Sequence, residues 1–165
     1  MPGFANALKE ADVFYQFSPD QLEIVARLCR QHTYQTGELI FLEGSRGDEL
    51  YIILSGEVDI LVDPTLVRQN PGEQYQPSTI ATLRRGQSFG EVSLVDQGLR
   101  SATARAAQKD TLLLVIPSQE IRQLCEADHH IGFLLMRNLA AELALKIRNT
   151  DMRIREELLY AGKDR

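Results

Sequence analysis

GELIFLEGSRGDELYIILSGEV, residues 37–58, is the stretch of this chain that decides its fold. It contains two short apolar runs, at 39–42 and 49–54, and a third run occupies 58–62. Glycines separate these runs, and glycine tolerates the positive φ angles that tight turns require. Short apolar runs bounded by turn residues predict consecutive β-strands.

The strand pattern continues downstream of this stretch. Further strands are predicted at 80–83, 102–106 and 112–116, and the polar segment 63–79, with its prolines, is predicted to be a long exposed connection. Many short strands at close spacing, with helices before and after them, indicate an α+β fold built on an antiparallel β-barrel of about eight strands.

Helical patterns flank the strands on both sides. Ser18 precedes a proline and stands three residues before Gln21, which is the pattern of a capping box, and Cys29 lies on the apolar face of the helix that follows. A buried thiol is therefore predicted. The last long helix is predicted over about 131–160, roughly 45 Å in length. Its apolar positions alternate in steps of four and three, as in a coiled-coil seam: Met136, Ala140, Leu143, Ile147, Thr150 and Ile154.

This seam has two interpretations. A helix of that length exceeds what a small barrel covers, so dimerisation through the helix is the more economical one. The alternative is a single helix that folds back on its own barrel, because the seam includes the polar Thr150.

Composition limits the possible classes of protein. The 165 residues are 44% hydrophobic and 25% charged, which excludes a largely disordered chain. No apolar run approaches the roughly 20 residues that span a bilayer, and the N-terminus lacks the pattern of a secretion signal. A net charge of −5 disfavours nonspecific nucleic-acid binding. The two cysteines have no CxxC spacing and fit a reducing compartment, so we expect a cytoplasmic protein.

Signatures of enzymes and of metal sites are not found. The sequence contains no GxSxG, HExxH, GxxxxGK[ST] or GxGxxG. His129 and His130 are neighbours on a predicted helix and would not face one metal ion, and His32 lies far from them in the sequence. We therefore expect neither an enzyme nor a metal site, and no cofactor.

The candidate ligand-binding residues lie in the stretch RGQSFGEVSL (85–94) and in GLRSAT (98–103), which follows it. Gly86 and Gly90 permit tight bends and close approach, and residues 91–94 are predicted to form a helical turn whose first N–H groups suit an anion. Arg100 then supplies a planar fork of donors that matches phosphate oxygens. Glu91 fits beside a phosphate only if the ligand also presents hydroxyl donors. The alternative is that Glu91 and Arg100 are solvated loop charges, paired with each other.

These residues resemble the phosphate-binding cassette of cyclic nucleotide-binding domains, as in protein kinase A regulatory subunits and the catabolite activator protein family. The family pattern, FGE with a following leucine and then Arg-Ser-Ala-Thr, matches FGEVSL and RSAT here, with nine positions from Glu91 to Arg100. The glycine pattern of 37–58 also matches the family. The resemblance spans roughly residues 10 to 160 and implies a jelly-roll-like barrel.

The resemblance implies a role for each matching residue. Arg100 would pair with the cyclic phosphate, and Glu91 would accept a hydrogen bond from the ribose 2′-hydroxyl. Backbone N–H groups of the cassette and the Ser101 side chain would complete the phosphate cradle. Aligning the long helix places Thr150 where the catabolite activator protein contacts adenine, whereas the neighbouring Asp151 departs from that protein; a coiled-coil register role for Thr150 stays open. The predicted ligand-binding residues are Phe89, Gly90, Glu91, Val92, Ser93, Arg100, Ser101, Ala102 and Thr150.

We therefore predict one cyclic nucleotide-binding domain over 1–165. Its parts are N-terminal helices (1–33), a β-barrel (34–117) with the cassette at 86–103, and C-terminal helices (118–165) that act as a lid and dimerise. The ligand is predicted to be cAMP, with cGMP open because Ser101 partly suits guanine. The expected output is a protein partner, because no DNA-reading helix-turn-helix follows the long helix. The alternatives are a ligand-free interaction module and a DNA-binding regulator that lacks its reading domain.

Overall fold

The computed structural model describes residues 3–66, 76–96 and 98–162, which contain five α-helices and eight β-strands. The helices are α1 (Phe4–Lys9), α2 (Pro19–Ala26), α3 (Glu91–Asp96), α4 (Ser118–Ala127) and α5 (His129–Ala161). The strands are β1 (Arg30–Tyr34), β2 (Leu39–Phe41), β3 (Glu49–Ser55), β4 (Val58–Val62), β5 (Ser78–Leu83), β6 (Ser88–Phe89), β7 (Thr103–Ala106) and β8 (Thr111–Pro117). Short 3-10 turns occupy Asp12–Phe14 and Pro64–Leu66.

The eight strands form two four-stranded sheets in which every pairing is antiparallel. The strand orders are β1-β8-β3-β6 and β2-β7-β4-β5. The predicted α+β fold with an antiparallel, jelly-roll-like barrel is confirmed, with the strands divided between two hydrogen-bonded sheets rather than joined in one closed barrel.

Strand β3 is apolar on both faces because both faces are covered by other parts of the protein. Tyr51 and Ile53 pack in a cluster with residues of both sheets, whereas Leu50 and Ile52 pack with the helices on the other side. A strand covered on both faces has an almost continuous apolar run instead of alternation. This central strand therefore holds the inter-sheet core and the helical layer together.

The N-terminal helices form in the predicted region, but α2 ends at Ala26 and β1 begins at Arg30, so Cys29 lies between them and not on the face of a helix. The Ser18 hydroxyl accepts a hydrogen bond from the Gln21 backbone N–H, and the Gln21 side chain accepts one from the Ser18 N–H, so the capping box is complete. Cys29 is buried, and burial raises the pKa of its thiol to about 12. The thiol therefore stays protonated at neutral pH and behaves as a small apolar side chain.

Helix α5 has 33 residues and changes its environment along its length. It begins after Asp128, whose carboxylate accepts from the backbone N–H groups of His130 and Ile131. The first part buries an apolar face against the helical layer, and Asn138 donates to the backbone carbonyls of Val13 and Tyr15. The second part is exposed, including the apolar Leu145, Ile147, Met152, Ile154 and Leu158.

Two details differ from the sequence prediction. Strands β1 and β6 were not predicted, because β1 is polar and mostly exposed and β6 has only two residues. Pairing with β8 and β3, rather than an apolar pattern, orders them. In the predicted connection 63–79, strand β5 already begins at Ser78, and residues 67–75 lie outside the described part of the chain.

Candidate functional site

A cavity of about 550 Å³ lies between the sheet that contains β4 and β5, the cassette and helix α5. Apolar side chains of the sheet line it, including Phe41, Ile60, Val62, Ile80 and Leu83, and α5 adds Leu143. The charged end of the cavity lies beside Phe41 and contains Arg100, Glu91 and Ser101 of the cassette, with Lys146 of α5. The cavity therefore presents an apolar surface for a flat group beside a charged end.

Arg100 is the main cation at the polar end of the cavity. It is only 3% exposed, and its two terminal nitrogens donate to the backbone carbonyls of Gly90 and Glu49, each at 3.1 Å. The guanidinium carbon lies 4.2 Å from the centre of the Phe41 ring, which is a cation–π distance. Its Nε is buried without a hydrogen-bond partner in the described structure. Burial lowers the pKa of Arg100, but a guanidinium stays charged at neutral pH.

Two glycines leave the space that the Arg100 side chain occupies. A Cβ added to Gly47 would lie 1.9 Å from Arg100 Nε, and one added to Gly90 would lie 2.7 Å from a terminal nitrogen. Gly90 also has a positive φ of 80°. Neither position accepts a side chain without displacement of the guanidinium. Gly47 therefore shapes the candidate site, although its place in the sequence indicated only a turn.

Glu91 is also 3% exposed, and its carboxylate contacts the ammonium of Lys146. The Lys146 ammonium further approaches the Ser88 carbonyl at 3.5 Å. This ion pair joins the first residue of α3 to α5 and offsets the charge of a carboxylate that is nearly removed from water. The cassette and the long helix are thus connected at the residue predicted to bind the ribose.

Glu142, one helical turn before Lys146, makes a second connection between α5 and the cassette. Its carboxylate accepts a 2.7 Å hydrogen bond from the hydroxyl of Ser88, which is buried in β6. Burial raises the pKa of Glu142, whereas the Ser88 hydrogen bond and the charge of Lys146 lower it. The proximity of Glu91 and Asp12 raises the same pKa further.

The structure brings most of the predicted ligand-binding residues to this cavity. Those that line it are Phe89, Gly90, Glu91, Val92, Arg100, Ser101, Ala102 and Thr150. Phe89 also stacks on Tyr51, with 5.0 Å between ring centres and 9° between ring planes. Ser93 lies within α3, the helical turn predicted at 91–94. The Thr150 hydroxyl donates to the Lys146 carbonyl of its own helix at 2.9 Å.

The alternative interpretation of Glu91 and Arg100 as solvated, mutually paired charges is wrong. Both side chains are buried, Glu91 pairs with Lys146, and Arg100 bonds to two backbone carbonyls. Sequence reasoning did not single out Lys146, Glu142 or Ser88. Their only signal was the four-residue spacing of Glu142 and Lys146, which places both on one side of a helix.

The described part of the chain has neither a metal-ligand cluster nor a helix suited to span a membrane. Within residues 3–66, 76–96 and 98–162, no cluster of three or more His, Cys, Asp or Glu side chains is placed to hold a metal ion. Over the same residues, no helix combines the length and the apolar character that crossing a membrane requires.

Comparison with known proteins shows the family to which this chain belongs. The profile of the family described as "Cyclic nucleotide-binding domain" matches residues 31–128, and the chain therefore belongs to that family. The chain is 33% identical over 151 residues to the cyclic AMP receptor protein of Thermus thermophilus, a match that covers 89% of this chain and 62% of that protein.

Two further similarities concern a kinase and a solved domain. The chain is 28% identical over 120 residues to cGMP-dependent protein kinase 2 of Homo sapiens, covering 73% of this chain and 15% of the kinase. The crystal structure of a cyclic nucleotide-binding domain from Methylobacillus flagellatus KT superposes with a TM-score of 0.78 at 25% identity, covering 94% of this chain and 86% of that one. This chain thus matches less than two thirds of the length of each of the two sequence relatives.

Proposed function

We propose that this chain is a cyclic nucleotide sensor whose preferred ligand is cAMP, and that it has no catalytic activity of its own. The observation that carries the proposal is the buried Arg100 at the charged end of the cavity, with its Nε unpaired and with Glu91 beside it. A buried guanidinium with spare hydrogen-bonding capacity suits an anionic ligand. We infer that the protein acts in the cytoplasm.

In this proposal each part of the ligand meets a suitable part of the cavity. The cyclic phosphate lies against Arg100, the first-turn N–H groups of α3 and Ser101. The ribose 2′-hydroxyl donates to the Glu91 carboxylate. The base lies between the apolar wall of the second sheet and α5, where Thr150 reaches it. Phe89, Val92, Ser93 and Ala102 shape the cassette around the phosphate.

The choice of cAMP rests on the residue after Arg100. In the family, a threonine there favours cGMP, because its hydroxyl reaches the guanine amino group, whereas this chain has Ser101. The similarity to a cyclic AMP receptor protein agrees with cAMP, and the similarity to a cGMP-dependent kinase makes cGMP the necessary comparison ligand.

The signal passes from the cassette to α5 in this proposal. Glu91 and Ser88 of the cassette region contact Lys146 and Glu142 of α5, so a ligand that moves the cassette acts directly on the helix. We infer two positions of α5, one with the helix closed over the cavity as a lid and one with it open. The ligand shifts the equilibrium between these two positions only by its differential affinity for them. A protein partner or a second copy of the chain then recognises the helix.

The ribose contact predicts a specific loss on removal of either partner. We expect the unchanged protein to bind cAMP roughly ten- to hundredfold more tightly than 2′-deoxy-cAMP, because a hydrogen bond to a charged group contributes about 1.5–3 kcal/mol. In Glu91→Ala this preference disappears, which calorimetric titration with both nucleotides measures. Glu126→Ala, which removes an exposed carboxylate of α4, should keep it. A preference that survives in Glu91→Ala would contradict the assigned role of Glu91.

Helix α5 carries the proposed homodimer contact. Ile154 belongs to the predicted seam and is 49% exposed, so Ile154→Glu places a charge in the interface and is expected to give monomers in sedimentation equilibrium. Met152→Glu is the matched control: Met152 is similarly exposed, at 57%, but lies outside the seam. Equal association of the two variants would contradict dimerisation through this seam. If the chain dimerises but binds neither nucleotide, the ligand-free interaction module replaces the sensor.

A further inference from the structure

The charges around the candidate site are unusual for a cavity that is to hold an anion. In its described part, the lining contains four carboxylates and three cations: Asp12, Glu91, Glu142 and Asp151 against Arg100, Lys146 and Arg153. Arg153 donates to the Ile80 carbonyl, and Arg100 to the carbonyls of Gly90 and Glu49. A cyclic nucleotide would add one more negative charge to this enclosed group.

Among these carboxylates, Glu142 is the one whose protonation we expect the added negative charge of a nucleotide to affect most. Three elements face it: the 3-10 turn with Asp12, β6 with the Ser88 hydroxyl, and the start of α3 with Glu91. On its own helix the neighbouring charge is Lys146, whose ammonium already contacts Glu91. The nearby ammonium is therefore already paired with Glu91, and Asp12 adds a third carboxylate in the vicinity.

The direction of the effect follows from the charges. Burial already raises the pKa of Glu142, and Glu91 and Asp12 raise it further. Another anion in the same cavity disfavours the ionised carboxylate again. Once protonated, the carboxyl group keeps an oxygen that accepts from Ser88, so the connection to β6 survives neutralisation.

We propose that nucleotide binding in this cavity is coupled to the uptake of a proton by the Glu142 carboxyl group. The proposal rests on the proposed function and adds a regulatory property to the same site. By linkage, a complex that binds more protons than the free protein is favoured at lower pH. Affinity for the nucleotide therefore rises as pH falls through the range in which Glu142 titrates, and falls as pH increases.

The test is calorimetric titration of the full chain with cAMP in buffers of equal pH but different ionisation enthalpy. A proton taken up by the complex is released by the buffer, so the apparent binding enthalpy varies with the buffer. We expect the unchanged protein to show a net uptake of a fraction of one proton, and Glu142→Gln to show none. Glu157→Gln, an exposed glutamate further along α5, should behave as the unchanged protein does.

The outcomes separate this inference from the proposed function. Absence of binding heat in the unchanged protein, with no thermal shift, would overturn the function itself. Binding with the same enthalpy in every buffer, or equal proton uptake in Glu142→Gln, would overturn the coupling and leave the function standing. If Glu142→Gln loses stability, Ser88→Ala provides a second variant, because it removes the hydrogen bond that lowers the pKa of Glu142. Proton uptake is then expected to shift to higher pH, and an unchanged pH dependence of the uptake would overturn the coupling.

Discussion

Replacement of Arg100 by alanine is expected to weaken cAMP binding by at least roughly thirtyfold, equivalent to about 2 kcal/mol or more. The guanidinium supplies the positive charge closest to the proposed phosphate position, and Glu91 remains beside it when Arg100 is removed. The phosphate then loses a charge-assisted contact, while the negative charge of Glu91 stays in the cavity, paired with Lys146. Titration calorimetry with cAMP measures the loss directly.

Controls separate binding from folding in this variant. Arg100 also donates to the Gly90 and Glu49 carbonyls, so Arg100→Ala should lower the melting temperature as well, and titration must be carried out well below it. Arg105→Ala is the control. It removes a half-exposed arginine of β7 that pairs with Asp59 of β4, and neither residue lines the cavity, so affinity should be unchanged. An Arg100→Ala protein that is folded and binds cAMP as tightly as the unchanged chain would refute the proposed phosphate site.

Gly47→Ala is expected to reduce cAMP affinity nearly as much, although residue 47 is not proposed to touch the ligand. The added Cβ would lie 1.9 Å from Arg100 Nε and 2.2 Å from the guanidinium carbon, closer than non-bonded heavy atoms can approach. Either the guanidinium or the loop must move, and the guanidinium then leaves its place above Phe41. A displacement of this size in a positioned charge removes most of its contribution to binding.

The matched control for this variant is Gly37→Ala. Gly37 has a positive φ of 83°, so alanine there strains the backbone, but no atom lies within 4 Å of the added Cβ. Gly37→Ala should therefore lower the melting temperature without loss of affinity. If Gly47→Ala and Gly37→Ala lowered stability alike and both retained full affinity, the argument that Gly47 positions Arg100 would be wrong.

The fold could be predicted from the sequence where local signals agree. The apolar runs that became β3 and β4, the capping box at Ser18 and the unbroken pattern of α5 each carry their own structural information. Strand β1 has no such signal, because its residues are polar and its order depends on pairing with β8, some eighty residues away in the chain.

The candidate site likewise contains residues that the sequence predicts and residues that it does not. Glu91 and Arg100 lie in one continuous motif, so their residue types and spacing predicted a shared cavity. The partners of that motif come from distant parts of the chain: Lys146 is 55 residues from Glu91, and Glu142 is 54 from Ser88. Periodicity places Glu142 and Lys146 on one side of a helix but does not show what that side contacts. The space that Gly47 leaves for Arg100 likewise depends on the packed structure.

The central claim is that the chain binds a cyclic nucleotide, and calorimetric titration of the purified protein with cAMP and then cGMP tests it most directly. We predict saturable binding of about one nucleotide per chain, with tighter binding of cAMP and a higher melting temperature in excess ligand, since a ligand that binds the folded state stabilises it. No binding heat with either nucleotide, together with an unchanged melting temperature, would contradict the claim and leave the fold without its ligand.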